Sequence, residues 1–165
     1  MYHIPTNTPQ PTLDPSSTII RAAKMLTPIR EAGQNRGRFV EAIIKYAGGK
    51  PGDKWCAAFV YYVGHKMLGA LWRLPKTLSC DELLLYAEKH NMLSHVPYPG
   101  CLFLVMASPT DATHVGFVAE VLVENRFTTV EGNSNDRGLR DGDGVVSNVR
   151  NTDGPTPYKF IVWNT

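Results

Sequence analysis

The stretch Trp55-Cys56-Ala57-Ala58-Phe59-Val60 decides the fold that we predict for this chain. Four apolar residues follow Cys56 at offsets of 3, 4, 7 and 11, and these are Phe59, Val60, Val63 and Met67. That spacing predicts a helix with one buried face. Asp53 is a suitable N-cap and would place Cys56 in the first turn, where unpaired N–H groups and the helix dipole favour a thiolate. Taken alone, a cysteine on such an apolar stripe is more often structural.

Three other helices are predicted around this one. Residues 1–18 are rich in proline and threonine and predict a flexible tail, and a first helix runs from Ile19 to about Glu31. Asn35 is the predicted cap of a second helix with an apolar stripe of Phe39, Val40, Ile43 and Ile44. Another helix begins at Ser79, where Glu82 completes the pattern of a capping box.

The second half of the chain changes character after Pro99-Gly100. Short segments rich in β-formers alternate with Gly, Asn and Asp, which predicts strands separated by turns. The predicted strands are Cys101–Met106, His114–Val123, Arg126–Glu131, Val145–Val149 and Lys159–Trp163. Because helices come first and strands second, we predict an α+β fold with a mostly antiparallel sheet.

Composition excludes several classes of protein. The chain of 165 residues has 43% hydrophobic residues and a net charge of +2, with basic residues scattered, so we expect no nucleic-acid partner. No apolar run is long enough to span a bilayer, and the N-terminus lacks the pattern of a signal peptide. Three cysteines without a CxxC spacing predict neither a zinc site nor a disulfide framework, although two of them could pair.

Two strands carry further polar residues suited to catalysis. His114 heads a strand and shares a face with Gly116, which leaves space beside the ring. Glu131 and Asn133 end another strand and also share a face. A half-buried glutamate needs a partner, and an imidazole N–H is suitable. A structural histidine and a solvent-exposed glutamate at a sheet edge remain the alternatives.

The two other cysteines are weaker candidates for a nucleophile. Cys80 also lies at a helix start, but Asp81 and Glu82 follow it and disfavour a thiolate. Cys101 lies in an apolar strand and is most simply part of the core. We therefore treat Cys80 as a control for Cys56.

Taken together, these segments resemble the CHAP family of cysteine, histidine-dependent amidohydrolases and peptidases, a branch of the papain-like NlpC/P60 group. The resemblance covers Asn35 to the C-terminus. It is carried by the motifs around Asn35-Arg36-Gly37, Trp55–Val60, Pro99-Gly100, His114–Val118 and Glu131-Gly132-Asn133. It implies a papain-like fold in which N-terminal helices pack on a mostly antiparallel sheet of five to six strands.

The resemblance also assigns roles. It implies that Cys56 is the nucleophile, His114 the base and Glu131 the residue that orients the imidazole, with Asn133 as a further polar residue of the site. Whether Glu131 or Asn133 contacts His114 stays open. Among their sequence neighbours we expect Asp53, Trp55 and Asn135 to contact substrate.

No metal or other cofactor is expected. The region before Cys56 lacks the spaced aspartates of a calcium loop. Asp141-Gly142-Asp143-Gly144 lacks the remaining ligands of an EF-hand, and a hairpin turn explains it better.

By the same resemblance the substrate is peptidoglycan, cut at an amide bond through a cysteine thioester. We expect a monomer made in the cytoplasm without a signal peptide, which reaches the bacterial wall by phage lysis or through a secretion system. Its partners would then be phage particle components or a cognate inhibitor protein, and no membrane insertion is expected. Two alternatives remain: a non-catalytic wall-binding or particle-docking module of the same fold, or a papain-like hydrolase of another peptide.

Overall fold

The computed structural model describes residues 14–135 and 142–164. The helices of this part of the chain are α1 (Pro15–Met25), α2 (Arg38–Tyr46), α3 (Cys56–Leu68) and α4 (Cys80–Lys89), with a short 3-10 helix at Gly69–Leu71. The strands are β1 (Leu93–Ser94), β2 (Leu102–Ser108), β3 (Asp111–Val121), β4 (Arg126–Ser134), β5 (Gly144–Asn151) and β6 (Tyr158–Ile161).

All six strands form one antiparallel sheet in the order β1-β6-β2-β3-β4-β5. Four helices followed by this sheet confirm the predicted α+β class and the predicted five to six strands. The pattern missed β1, because two residues are too few to show an alternation.

The sheet has apolar residues on both of its faces. Helices α1, α3 and α4 contact β3, and the core that they share includes Leu102, Val115 and Phe117. Alternate strand residues form a second apolar cluster, which consists of Cys101, Phe103, Val118, Phe127 and Phe160. Since successive side chains of a strand point to opposite faces, this second cluster lies on the face away from the helices.

The predicted tail is too long. Helix α1 begins at Pro15, where the carboxylate of Asp14 accepts a hydrogen bond from the Ser17 N–H at 3.0 Å. Proline suits this first helical position, because its missing N–H would have no partner there. Ser16 is buried against Gly100, so residues 14–18 belong to the fold. Residues 1–13 of the predicted tail lie outside the described part of the chain.

The predicted caps of α2 and α3 are wrong. The N-cap of α2 is Gly37, and the side chain of Asn35 donates instead to the Gly52 carbonyl at 3.1 Å. The N-cap of α3 is Trp55, while the carboxylate of Asp53 accepts from the Lys50 N–H at 2.7 Å and closes the preceding turn. Cys56 is therefore the first residue of α3, whereas a cap at Asp53 would have made it the third.

Two residues of the predicted apolar stripes are exposed. Phe39 of α2 is 64% exposed and Met67 of α3 is 44% exposed. Both lie at the edges of their stripes, whereas the central residues Val40, Ile44, Phe59 and Val60 are buried as predicted.

Helix α4 begins as the sequence predicts and is fastened to the sheet. The Ser79 hydroxyl accepts from the Glu82 N–H at 3.2 Å, while the Glu82 carboxylate bonds Thr77 instead of completing the capping box. The carboxylate of Asp81 accepts from the backbone N–H of Ala112 in β3 at 2.7 Å. The first turn of α4 is thus bonded to β3 at Ala112, which lies two residues before His114.

The hairpin between β3 and β4 lies at the far end of β3 from His114. Its turn contains Glu124 and Asn125, both with left-handed φ angles of 57° and 56°. The Leu122 N–H donates to the Arg126 carbonyl at 2.8 Å and closes the loop. Val123 at its tip is exposed.

Candidate active site

Cys56 lies at the start of α3 and at the wall of a cleft. Cys56 is 5% exposed, and its sulfur lies beside the backbone N–H of Ala57. The first intrahelical bond runs from the Phe59 N–H to the Trp55 carbonyl, so the N–H groups before Phe59 have no partner within the helix. A cleft of about 360 Å³ opens here, lined by Cys56, Cys80 and Thr113 among others.

His114 in β3 faces the end of β4. Its Nε2 atom lies 2.9 Å from Oε2 of Glu131, and both side chains are buried. An ionised carboxylate can only accept, so Nε2 carries the proton. This contact answers the question that the sequence left open, since Glu131 rather than Asn133 is hydrogen-bonded to the imidazole.

The other ring nitrogen of His114, Nδ1, does not contact Glu131, which is bonded to Nε2. It is buried and makes no hydrogen bond of good geometry with the described residues. The Cys56 sulfur is nevertheless close enough to act on the charge of the ring. Catalytic hydrogen bonds are often poorly aligned before substrate binds, and this arrangement fits that behaviour.

Glu131 is held by a complete set of donors. Oε1 accepts from Thr129 at 2.5 Å and from Nε of Arg150 at 2.7 Å. Oε2 accepts from His114, from Ser134 at 2.9 Å and from an Nη of Arg150 at 2.7 Å. Arg150 thus forms a bidentate ion pair with the carboxylate through two hydrogen bonds, the strongest geometry for such a pair.

The charges of the site reinforce one another. Burial raises the pKa of Glu131, but the hydrogen bonds and charges of His114 and Arg150 outweigh burial and hold this pKa well below its usual range. Burial lowers the pKa of His114, but Cys56 and Glu131 outweigh it and raise this pKa to about 9.

The pKa of Cys56 is lowered well below its usual range. The thiol of Cys80 contributes most by hydrogen bonding to the sulfur, burial acts in the opposite direction, and His114 adds to the lowering. Both shifts favour the ionised form of each group, the thiolate of Cys56 and the imidazolium of His114.

The sequence predicts that Cys80 lies outside the site, and this prediction is wrong. The sulfur of Cys80 lies 3.7 Å from that of Cys56, and neither cysteine is in a disulfide. The acidic neighbours that weighed against it are engaged elsewhere, Asp81 with Ala112 and Glu82 with Thr77. Cys80 is thus unsuitable as a control for Cys56. Cys101 belongs to the core of the opposite face, as predicted.

Asn133 is buried and makes no hydrogen bond to the imidazole of His114. It adopts a left-handed φ of 56°, which asparagine tolerates better than most residues. Both polar atoms of its side chain are buried without a hydrogen bond to the described residues. Its catalytic role stays a prediction.

Trp55, which the sequence predicts to contact substrate, is fully buried and leaves no side-chain surface exposed for that contact. Its indole N–H donates to Glu31 at 2.7 Å, and its ring meets Phe59 edge to face. The other oxygen of Glu31 accepts from the Asn35 N–H at 2.7 Å, so Glu31 ties the segment before α2 to the start of α3. Sequence reasoning chose Trp55 for its position next to Cys56, a position that says nothing of which way the ring points.

The predicted substrate contacts of Asp53 and Asn135 stay predictions. Asp53 is exposed, and Asn135 is half-buried with its carbonyl accepting from the side chain of Asn148 at 3.2 Å.

The bond between Trp55 and Glu31 gives a measurable contribution to stability. Trp55→Phe should lower the free energy of unfolding by about 1 kcal/mol more than Trp163→Phe, because a bond to a carboxylate is worth more than one to a carbonyl. Trp163 is the matched control: it is equally buried, and its indole N–H donates to the Gly100 carbonyl at 2.8 Å. Denaturant unfolding of both variants gives the difference. Equal losses of unfolding free energy in the two variants would show that the bond to Glu31 adds no extra stability at the start of α3.

Arg150, Thr129 and Ser134 were not predicted as parts of the site. Arg150 lies on β5, and its guanidinium also stacks on Phe103 at 4.7 Å. The pairing of Phe127 with Arg150 across β4 and β5 places this side chain on the face of Glu131. Arg150 stands an even number of residues after the buried Val146 and so shares its face of β5, which was the available signal.

Among residues 14–135 and 142–164, no group of His, Cys, Asp and Glu is arranged to hold a metal ion. The predicted hairpin turn at Asp141–Gly144 begins at a residue outside this part of the chain, and β5 starts at Gly144. Within the same residues, every helix is too short or too polar to cross a bilayer. A second cleft of about 440 Å³ beside Tyr98 and Asn164 contains none of the predicted site residues.

No protein-family model matches the sequence, and no curated protein matches it. The functional interpretation therefore depends on the geometry of the site and on the motifs that the sequence displays.

The low pKa of Cys56 predicts selective alkylation. At about pH 6 an ordinary thiol of pKa about 8.5 is under about 1% ionised, whereas Cys56 should react with iodoacetamide ahead of Cys101. Burial raises the pKa of Cys101 to about 12, which makes it the internal reference. Peptide mapping after brief labelling checks this, and His114→Ala should slow the reaction at Cys56. Equal labelling of Cys56 and Cys101 would contradict the thiolate.

Proposed function

We propose that this protein is a cysteine amidohydrolase or peptidase of the CHAP type that cleaves an amide bond of peptidoglycan. One observation carries the catalytic part of the proposal: a cysteine at a helix start, an imidazole beside it and a carboxylate 2.9 Å from the far ring nitrogen, at the wall of an open cleft. This is the arrangement by which thiol hydrolases activate and orient their nucleophile.

The first half of the reaction forms a thioester. The Cys56 thiolate attacks the carbonyl carbon of the amide, and the carbonyl oxygen becomes an oxyanion. The unpaired N–H groups at the start of α3, that of Cys56 among them, are placed to donate to it, and each such donor is worth about 3 kcal/mol of transition-state stabilisation. The His114 imidazolium then gives its proton to the leaving amine, and the C–N bond breaks.

The second half releases the acid. His114, now neutral, accepts a proton from water while the water oxygen attacks the thioester carbonyl. The C–S bond breaks, and Cys56 leaves as the thiolate. Glu131 stabilises the imidazolium each time it forms and stays ionised throughout, because Arg150 neutralises its charge.

The choice of peptidoglycan is supported by the likeness of the sequence motifs to the CHAP family, with Cys56, His114 and Glu131 in the family's order. Both the bond between sugar and stem peptide and those within the peptides are amides. In this proposal the protein acts on the bacterial wall after delivery by phage lysis or a secretion system.

Digestion of purified peptidoglycan with the full chain tests the proposal. Mass spectrometry of the soluble products should show new amine and acid ends at one type of amide bond, which identifies the activity as amidase or endopeptidase. Undigested peptidoglycan together with cleavage of unrelated peptides would assign the same chemistry to another substrate. Intact peptidoglycan and intact peptides would leave a binding module.

A further inference from the structure

Two sulfurs of this protein are close enough to react with each other. The Sγ atoms of Cys56 and Cys80 lie 3.7 Å apart, and neither cysteine is in a disulfide. A disulfide requires about 2.05 Å between the sulfurs, so they need to approach by roughly 1.7 Å. Each sulfur moves when its side chain rotates about the Cα–Cβ bond.

The elements that carry these sulfurs are fixed relative to one another. Cys56 and Cys80 are the first residues of α3 and α4, helices of 13 and 10 residues. Ser79 caps α4, and Asp81 holds its first turn to Ala112 of β3. The packing of these two helix starts therefore places the two sulfurs next to each other.

A small oxidant can reach both thiols. The residues are 5% and 7% exposed, and both line the cleft of about 360 Å³. A thiolate that is accessible and lies next to a second thiol is the arrangement of a peroxide-sensitive cysteine with its resolving partner.

We propose that Cys56 and Cys80 form a reversible disulfide when the protein meets a hydroperoxide, with Cys80 as the resolving cysteine. The Cys56 thiolate attacks one oxygen of hydrogen peroxide, so that an S–O bond forms, the O–O bond breaks, and the leaving hydroxide takes the proton of His114 to become water. Cys80 then attacks the Cys56 sulfenic sulfur. The S–S bond forms, the S–O bond breaks, and the departing hydroxide leaves as water with the thiol proton of Cys80.

In the net reaction the two thiols together lose two electrons and become a disulfide, and one hydrogen peroxide gains them and becomes two waters. A dithiol reductant reverses the modification by thiol–disulfide exchange. If the proposed hydrolase function holds, the disulfide removes the nucleophile and stops hydrolysis, and it also protects Cys56 from irreversible oxidation to the sulfinic acid.

Cys101 provides the matched control within the same chain. It is also outside any disulfide, but it does not line the cleft and belongs to the apolar cluster on the face away from the helices, where its sulfur accepts from the Tyr98 N–H at 3.3 Å. No partner sulfur lies within bonding reach of it in the described residues. Cys101→Ser should behave as the unmodified chain does.

The experiment compares the unmodified chain, Cys80→Ser and Cys101→Ser, each fully reduced and then treated with hydrogen peroxide. After alkylation and digestion, mass spectrometry should find a peptide pair linked through Cys56 and Cys80 in the unmodified chain and in Cys101→Ser. In Cys80→Ser the Cys56 peptide should carry sulfinic acid, several-fold more than in the other two. A dithiol should restore the free Cys56 thiol only where Cys80 is present.

Absence of the linked peptide, together with sulfinic acid at Cys56 in all three proteins, would overturn the proposal. Circular dichroism of Cys80→Ser, with Cys80→Ala as a second variant, checks that the folded protein is being compared. Because the readout is the mass of the cysteine peptides, its failure is distinct from failure to digest peptidoglycan. Loss and dithiol-dependent recovery of hydrolysis are then measured separately.

Discussion

Cys56→Ala should abolish hydrolysis of peptidoglycan, with a loss of at least about 10⁴-fold in kcat, as is usual when a covalent nucleophile is removed. The methyl group that replaces the thiol cannot form the thioester, and the remaining N–H groups at the start of α3 can only polarise the carbonyl. The fold should persist, since the substitution deletes a single buried sulfur. Release of soluble fragments from purified peptidoglycan measures the loss.

The control for this variant is Cys101→Ala, because Cys80 touches the nucleophile and cannot serve. Cys101→Ala removes an equally buried sulfur and should leave the rate within about twofold, since Cys101 does not line the cleft that contains Cys56 and makes no contact with His114 or Glu131 among the contacts described above. A Cys56→Ala protein that digests the wall at the rate of the unmodified chain would end the thiol mechanism.

Glu131→Gln should lower kcat by about 10⁴-fold, as expected when an orienting carboxylate is replaced by its amide. The amide cannot accept from His114, Thr129, Ser134 and both nitrogens of Arg150 at once, and it carries no charge to stabilise the imidazolium. The pKa of His114 should fall, because one of the groups that raise it is lost. The alkylation rate of Cys56 near neutral pH should fall with it, a change that a purely structural role of Glu131 would not produce.

Glu131→Gln also reduces stability. Arg150 keeps its charge in a largely buried position but loses its two charged bonds to Glu131, and breaking such a pair by removing one partner costs about 3 to 5 kcal/mol. Glu120→Gln is the matched control, since Glu120 lies exposed on β3 and its replacement makes the same change of charge. Rates are compared below the unfolding transition of each variant. A folded Glu131→Gln protein with the hydrolysis rate of Glu120→Gln would show that the carboxylate has no part in the reaction.

Local patterns in the sequence predict much of this fold. A period near 3.6 predicts α2, α3 and α4, and a period of 2 places His114 and Glu131 on faces where a contact is feasible. The errors lie at helix starts, because capping depends on where a side chain finds a partner. Asp53 and Asn35 are good capping residues that bond to Lys50 and Gly52 instead.

Contacts between distant segments were not predictable from such patterns. The Cys80 thiol lies beside Cys56 because Asp81 bonds to a backbone N–H of β3, a contact between residues 31 positions apart. Arg150 reaches Glu131 only once the register of β4 and β5 is known. Neither fact leaves a trace in the spacing of apolar residues, and both determine the charge state of the site.

The hairpin at Val123–Asn125 has a practical consequence. It lies seven or more strand residues from the imidazole, a separation on the order of 25 Å, and its side chains point into solvent. A fluorophore or an affinity peptide inserted there would leave the catalytic cleft unobstructed. Binding to insoluble wall material could then be imaged in a variant whose nucleophile has been removed.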